Sequence, residues 1–225
     1  MALKRNTKKG SETLLLIEGS LLLLIAFILY HYETIVEVKN DIKSEIDAEI
    51  YQEQSNNLSV NIDVSYVEQD IESNENNNEN NNENSSNYTP NYIAFLKIDK
   101  INLYQGLLPK GNFYNYVDYH VQILDVSDYP DVINGNFILA GHSGTSNVAY
   151  FKNLYKLKLG DKANVYYNGK VYTYSIVNIY KEDKDGSVNI YRDNDKTTLT
   201  LITCTQNDKL HQTVYILELI GVETY

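Results

Sequence analysis

Cysteine and proline are scarce in this sequence, and positive charges are fewer than negative ones. Among 225 residues there are one cysteine and three prolines. Because Cys204 is the single cysteine, no intramolecular disulfide can form, and the fold must depend on its hydrophobic core. With few prolines and only 11 glycines, the turns must rely on Asn and Asp. An unpaired thiol is either a buried apolar filler or a reactive group, and composition alone favours the filler.

The formal net charge of −11 comes almost entirely from one segment. Residues 33–83 contain fourteen Asp/Glu and two lysines, whereas residues 88–225 contain thirteen Lys/Arg and fourteen Asp/Glu. The second segment is therefore nearly neutral and lacks the basic patch of a nucleic-acid-binding protein. We predict no nucleic-acid partner.

The longest apolar run predicts a membrane anchor. Residues 1–12 are basic, and residues 13–30 form an 18-residue stretch near the lower length limit for a spanning helix. No small-residue cleavage site follows it, so an uncleaved signal anchor is favoured over a cleaved signal peptide. The basic residues place the N-terminus in the cytoplasm and the rest of the chain outside.

Two segments separate this stretch from the predicted folded domain, residues 91–225. In residues 31–54 apolar side chains recur every three or four positions, which predicts a helical stalk next to the membrane. Residues 55–90 are predicted to be an Asn/Glu-rich disordered linker, because residues 72–87 are of low complexity and have no apolar side chain to bury.

The predicted domain contains many β-like runs and one short helix candidate, Tyr150–Leu157. Asn168-Gly169 between two of the runs predicts a type I′ hairpin turn. Numerous strands with little helix indicate an all-β barrel or sandwich. The runs are Tyr92–Ile98, Ile101–Leu107, Asn136–Ala140, Ala163–Tyr167, Lys170–Ile179, Thr197–Cys204 and Thr213–Ile220.

Two of these runs end in residues that can do chemistry together. One apolar run is followed by Gly141 and His142, and a β-branched run ends in Cys204. Strand ends can hold a side chain rigidly at a solvent-reachable rim. A cysteine and a histidine within hydrogen-bond reach can form a thiolate and transfer a proton to a leaving amine.

Thr200-Leu201-Ile202-Thr203-Cys204 resembles the sortase signature around the nucleophile, and Leu139-Ala140-Gly141-His142 resembles the segment that carries the family's histidine. The resemblance covers roughly residues 91–220 and is nearest to the N-terminally anchored class A or D type. It implies an all-β fold, an eight-stranded sortase-like β-barrel with one or two short helices, here preceded by the N-terminal transmembrane helix.

The same resemblance implies a cysteine transpeptidase located outside a bacterial cell membrane. Cys204 would be the nucleophile and His142 its acid/base partner, with no metal and no organic cofactor. The substrate implied is a surface protein with a C-terminal Leu-Pro-x-Thr-Gly-like sorting signal, held as a thioester. The acceptor implied is an amine of a peptidoglycan precursor or of a pilin-like subunit.

The family's arginine, which follows the cysteine and helps to hold substrate and oxyanion, falls on Gln212 here. Gln212 could donate a weaker neutral hydrogen bond, or Lys209 or Arg192 could supply the charge from a loop. Alternatively, the domain is a catalytically weak module that binds sorting signals or wall peptides, or a hydrolase that releases rather than ligates. A strand register shifted by one residue would turn His211 toward the site instead.

Two other polar features are interpreted as structural. The acidic residues in 182–185 are interleaved with lysine and lack regular ligand spacing, which indicates a solvated turn rather than a Ca²⁺ site. His120 is predicted to be a strand or loop residue without a catalytic role.

Overall fold

The computed structural model describes residues 6–58 and 90–225. The helical elements are α1, Asn6–Leu58, and two single 3₁₀ turns, Asp99–Ile101 and Leu154–Lys156. The eight strands are β1 Ala94–Ile98, β2 Leu103–Leu107, β3 Gln122–Ile123, β4 Asn136–Ala140, β5 Lys162–Tyr167, β6 Lys170–Asp183, β7 Thr198–Cys204 and β8 His211–Thr224.

Helix α1 includes both the apolar stretch 13–30 and the periodic segment 31–54. Within residues 6–58 and 90–225, no helix is both long enough and apolar enough to cross a membrane, so the predicted transmembrane helix is not confirmed. The predicted linker, residues 55–90, lies almost wholly outside the described residues.

The strands form one sheet in the order β2-β1-β5-β6-β8-β7-β4-β3, which curls into a nearly closed barrel. Neighbouring strands are antiparallel except for β4 and β7, which are parallel. The prediction of an all-β, eight-stranded barrel is confirmed. The two-residue β3 is too short to give an alternating pattern, and of the helix predicted at Tyr150–Leu157 a 3₁₀ turn is present at Leu154–Lys156.

The β5–β6 hairpin turns at the predicted dipeptide. Asn168 has φ of 48° and Gly169 has φ of 69°. Consecutive positive φ values are those of a type I′ turn, whose twist matches the flanking strands. The turn pairs Tyr167 with Lys170 and thereby sets the register of the β5–β6 hairpin.

The strands β4, β7 and β8 bury side chains on both faces because a separate cluster covers their outer side. Odd-numbered residues such as Leu139, Leu201 and Leu217 lie in the barrel core. Even-numbered residues lie outside it, in a cluster of Ile138, Ile202, Val214 and Ile216 that is covered by Val188 and Ile190 of the β6–β7 segment. Alternation along a strand therefore fixes which face every later residue occupies.

Residues 44–58 of α1 belong to the same compact unit as the barrel. Tyr51 packs with Tyr92, Phe95 and Leu108, and its ring stacks on Phe95 at a centroid distance of 5.7 Å. Its hydroxyl lies 3.1 Å from the Tyr225 hydroxyl. Burial raises the pKa of Tyr51, and the hydrogen bond with Tyr225 adds to this rise.

Candidate active site

The ends of β4 and β7, which lead to His142 and Cys204, lie side by side because the two strands are parallel and in register. Ala140 pairs with Ile202, and the next residue, Gly141, donates its N–H to the Ile202 carbonyl at 3.1 Å. His142 and Cys204 are each two residues beyond this pair. Since both continue the even-numbered series, we expect both side chains to leave the same outer face of the sheet.

Three hydrogen bonds fix the ends of these two strands. Ser143 Oγ donates to the Cys204 carbonyl at 2.7 Å, and Thr203 Oγ1 donates to the Gly141 carbonyl at 2.8 Å. The Phe151 N–H donates to the His142 carbonyl at 3.0 Å. A Cβ atom on Gly141 would lie 2.9 Å from the Phe151 ring, which explains the glycine before the histidine.

The imidazole of His142 faces a carboxylate. Its Nε2 lies 3.3 Å from Oδ1 of Asp118, whose side chain is 80% exposed. Such an exposed pair contributes little to stability, about 0–1 kcal/mol. It can nevertheless orient the ring, because a carboxylate on one ring nitrogen selects the tautomer and leaves the other nitrogen free.

The Cys204 thiol is partly exposed and borders two cavities. An open cavity of about 770 Å³ on one side is lined by Lys152, Lys184 and Lys209. A cavity of about 270 Å³ on the other side includes apolar residues, among them Phe151 and Leu157. Lys184 Nζ lies 3.2 Å from Sγ of Cys204. The thiol is therefore accessible and has a cation beside it.

Gln212 pairs directly with Cys204 across the β7–β8 ladder and occupies the same face. Its Nε2, however, donates to the backbone carbonyls of Ser187 at 2.7 Å and Asp183 at 3.3 Å. The oxyanion role predicted for Gln212 remains a prediction. His211 is on the opposite face and bonds to Asp208 at 2.8 Å, so the alternative with a shifted register is wrong.

The alternative that Arg192 reaches the site is also wrong. Its guanidinium donates to the carbonyls of Asn134 at 3.1 Å and Lys196 at 3.0 Å. It also lies 3.4 Å from Oγ1 of Thr198, the first residue of β7, which is six residues from Cys204 and thus about 20 Å away. Lys209 does line the larger cavity.

The acidic β6–β7 loop has internal partners for its carboxylates. Asp185 accepts hydrogen bonds from the Ser187 N–H at 3.0 Å and Oγ at 2.8 Å, which lower the pKa of Asp185. Glu182 accepts one from Asn189 Nδ2 at 3.0 Å. In the part of the chain that the structure describes, no group of three or more His, Cys, Asp or Glu side chains could hold a metal ion.

Comparison with known protein families gives a decisive match. The sortase domain model matches residues 96–218, which is more than half of the chain and spans β1 to β8. The chain belongs to the sortase family. Both strand tips described above fall inside the matched region.

Individual sortases are similar to this chain over its barrel. Sortase A of Bacillus anthracis is 31% identical over 90 residues, a match that spans 40% of this chain and 42% of that protein. The structure of a Clostridium perfringens sortase D5 transpeptidase has a TM-score of 0.50 at 26% identity and covers 58% of this chain and 79% of that one. Sortase A of Corynebacterium diphtheriae has a TM-score of 0.52 at 22% identity, covering 60% and 63%, which shows a shared fold.

Three site residues of this sortase were missed by sequence reasoning: Asp118, Ser143 and Lys184. Asp118 and Ser143 are single polar residues in loops with no pattern around them. Strand alternation could have pointed to Lys184, because this residue continues the even-numbered positions of β6 onto the face of Cys204. Using that alternation requires the β6–β8 register, which the sequence alone did not provide.

Proposed function

We propose that this sortase is a cysteine transpeptidase that cleaves a Leu-Pro-x-Thr-Gly-like C-terminal sorting signal and transfers the protein to an amine. The supporting observation is the in-register pair of strand tips that lead to His142 and Cys204, with the Cys204 thiol beside open cavities. The C. perfringens relative is itself a transpeptidase.

In the first half-reaction the Cys204 thiolate attacks the threonine carbonyl carbon of the signal. A C–S bond forms, and the carbonyl π pair moves to oxygen. When the oxyanion collapses, the C–N bond to glycine breaks and the departing nitrogen takes a proton from the His142 imidazolium. The product is a thioester on Cys204.

In the second half-reaction an amine enters and His142 accepts its proton. The nitrogen attacks the thioester carbon, a C–N bond forms and the C–S bond breaks, which regenerates the thiolate. His142 gives up one proton in the first half-reaction and accepts one in the second, so the protons balance over the cycle. The acceptor class we propose is an amine of a peptidoglycan precursor or of a pilin-like surface subunit.

The test is a mass measurement on the full chain mixed with a panel of sorting-signal peptides, with and without triglycine as the amine. We expect an adduct at Cys204 whose mass equals the peptide acyl part, and a ligated product only with the amine. Cys204→Ala and His142→Ala are matched variants in which the adduct should be lost.

Other outcomes decide among the alternatives. Peptide binding without any adduct would favour the module that recognises signals and does not process them, an alternative that Gln212 in place of the family's arginine motivates. Peptide release that is equal with and without triglycine would favour a hydrolase. No binding and no adduct with any peptide would contradict the proposed function.

The location outside a bacterial cell membrane is also proposed here, and the single cysteine makes it testable. A membrane-impermeant maleimide added to intact cells should label Cys204, because the thiol is partly exposed. A Cys204→Ser chain is the control for background labelling. Labelling only after the cells are lysed would contradict this location.

A further inference from the structure

The ammonium group of Lys184 lies 3.2 Å from Sγ of Cys204. Resting on the proposed function, we propose that Lys184 is a catalytic residue, which stabilises the Cys204 thiolate and then the oxyanion that forms during acylation. Lys184, which directly follows β6, would thereby supply the positive charge that Gln212 cannot supply. A cation beside a thiol favours the thiolate, the form that is nucleophilic.

The position of Lys184 follows from the sheet. It is the first residue after β6, and its N–H donates to the Leu210 carbonyl at 2.8 Å, which continues the β6–β8 ladder by one step. Along β6, Tyr180 belongs to the outer cluster, and alternation puts Lys184 on that same face. The lysine side chain, with its four methylenes, can then pass over the start of β8 and reach the sulfur of Cys204 at the end of β7.

The loop that follows Lys184 is closed by several hydrogen bonds. Gln212 Nε2 binds the Asp183 and Ser187 carbonyls, on either side of Lys184. Asp185 holds Ser187, and Gly186 adopts φ of 95°, a conformation that favours glycine. Gln212 therefore acts as a positioning residue for Lys184: it holds the segment that carries the charge.

Other cations near the thiol have different roles. Lys152 and Lys209 line the larger cavity, and Lys181 pairs with Asp208 at 3.6 Å. Of these lysines, the contact with the sulfur atom belongs to Lys184. The assignment to Lys184 thus rests on a direct contact with the reacting atom rather than on general positive charge.

A lysine side chain suits a negative charge that moves from sulfur to oxygen during acylation. In the attacking thiolate the negative charge is on sulfur, and on attack the carbonyl π pair carries it to an oxygen one bond beyond the new C–S bond. Lys184 keeps its proton throughout, while the leaving nitrogen is protonated by His142. An ammonium has three donors on a flexible stem and can stay close to the charge at both stages.

The test compares full-chain Lys184→Gln and Lys184→Arg with the wild type, using two readouts. The first is the rate of thiol alkylation by iodoacetamide at neutral pH, which should fall about tenfold in K184Q and stay within about threefold in K184R. The second is the rate of acyl-adduct formation with peptide, which should fall about 10²–10³-fold in K184Q. Lys170→Gln, at the other end of β6, is the matched control and should equal the wild type.

Each result supports or overturns the inference. Wild-type rates of alkylation and acylation in a folded K184Q chain would overturn it. A hydroxylamine-resistant adduct on Lys184 would also overturn it, because only a neutral amine could form that amide. If the wild type forms no adduct with any peptide, the proposed function fails, while slower alkylation of K184Q still supports the contact of Lys184 with the thiolate.

Discussion

Ser143 and Cys204 are joined by a 2.7 Å hydrogen bond from the serine hydroxyl to the cysteine carbonyl. The bond ties the residue after His142 to the residue that carries the thiol, so we expect it to set the spacing of the two proposed reacting groups. We expect Ser143→Ala to lower the free energy of unfolding by about 1 kcal/mol. We also expect it to slow acyl-adduct formation severalfold, because small misplacements of reacting groups are costly.

Denaturant unfolding and adduct kinetics measure these two effects. Ser143→Thr keeps the hydroxyl and should retain most of both. If S143A acylates as fast as the wild type, the hydrogen bond does not control the spacing of His142 and Cys204.

Gln212 and Lys184 should act as one unit. Gln212→Ala removes both hydrogen bonds to the β6–β7 loop and should slow acylation about tenfold. In a chain that already carries Lys184→Gln, the same change should have almost no further effect, since contacting residues give non-additive losses.

Gln212→Arg is the matching gain-of-function variant. Gln212 faces Cys204 across the β7–β8 ladder, so a guanidinium there could supply the missing charge. The double variant K184Q/Q212R should acylate at least about tenfold faster than K184Q. Independent, additive losses for Lys184 and Gln212 in adduct kinetics would contradict the coupling.

Asp161 makes the stability of the barrel depend on pH. Lys100 Nζ lies 2.6 Å from its carboxylate and lowers the pKa of Asp161, and the Lys158 N–H lowers it further. A carboxyl group with a lowered folded pKa stabilises the protein above about pH 4, and this contribution is lost as the pH falls through the lowered pKa. Asp161→Asn should therefore lower the Tm at pH 7 by about 3 °C.

Thermal unfolding at several pH values tests this expectation. The difference in Tm between wild type and D161N should shrink as the pH falls through the lowered pKa of Asp161, where the carboxyl group becomes neutral like the amide. A difference that stays constant from neutral to acid pH would mean that the charge of Asp161 is not its source.

Tyr51 should contribute to the stability of the compact unit formed by residues 44–225. It is 7% exposed and stacks on Phe95. Tyr51→Ala should lower the free energy of unfolding by about 3 kcal/mol, whereas Tyr51→Phe removes only the hydroxyl contact and should cost about 1 kcal/mol or less. The control is Tyr32→Ala, at an exposed position of α1. Equal urea midpoints for Y51A and Y32A would contradict the burial of Tyr51.

The sequence predicted the features that depend on local patterns. The β-like runs, the Asn168-Gly169 turn and the eight-stranded class agree with the structure, and the strands that lead to His142 and Cys204 are neighbours in the sheet. The extents of β6 and β8 were underestimated, because their last pairs join charged residues such as Asp183 with His211 and show no hydrophobic alternation.

Features that depend on long-range register were not predictable in the same way. The contact between Lys184 and Cys204 requires three strands in known register, and a run of alternating charges reads as a solvated loop when taken alone. Gln212 does pair with Cys204 across the β7–β8 ladder, but the partners of its amide lie in a segment whose path the sequence did not reveal.

The parallel pairing of β4 with β7 has a consequence for biosynthesis. Gly141 and Thr203 touch although 62 residues separate them, and β7 also needs β8, which follows it in the chain, as its second neighbour. Contacts this distant form late, because a long loop must close first. In a nascent chain that has just exposed Cys204, the thiol is therefore not yet held in the folded site, and the proposed nucleophile is in place only once β8 has left the ribosome and docked.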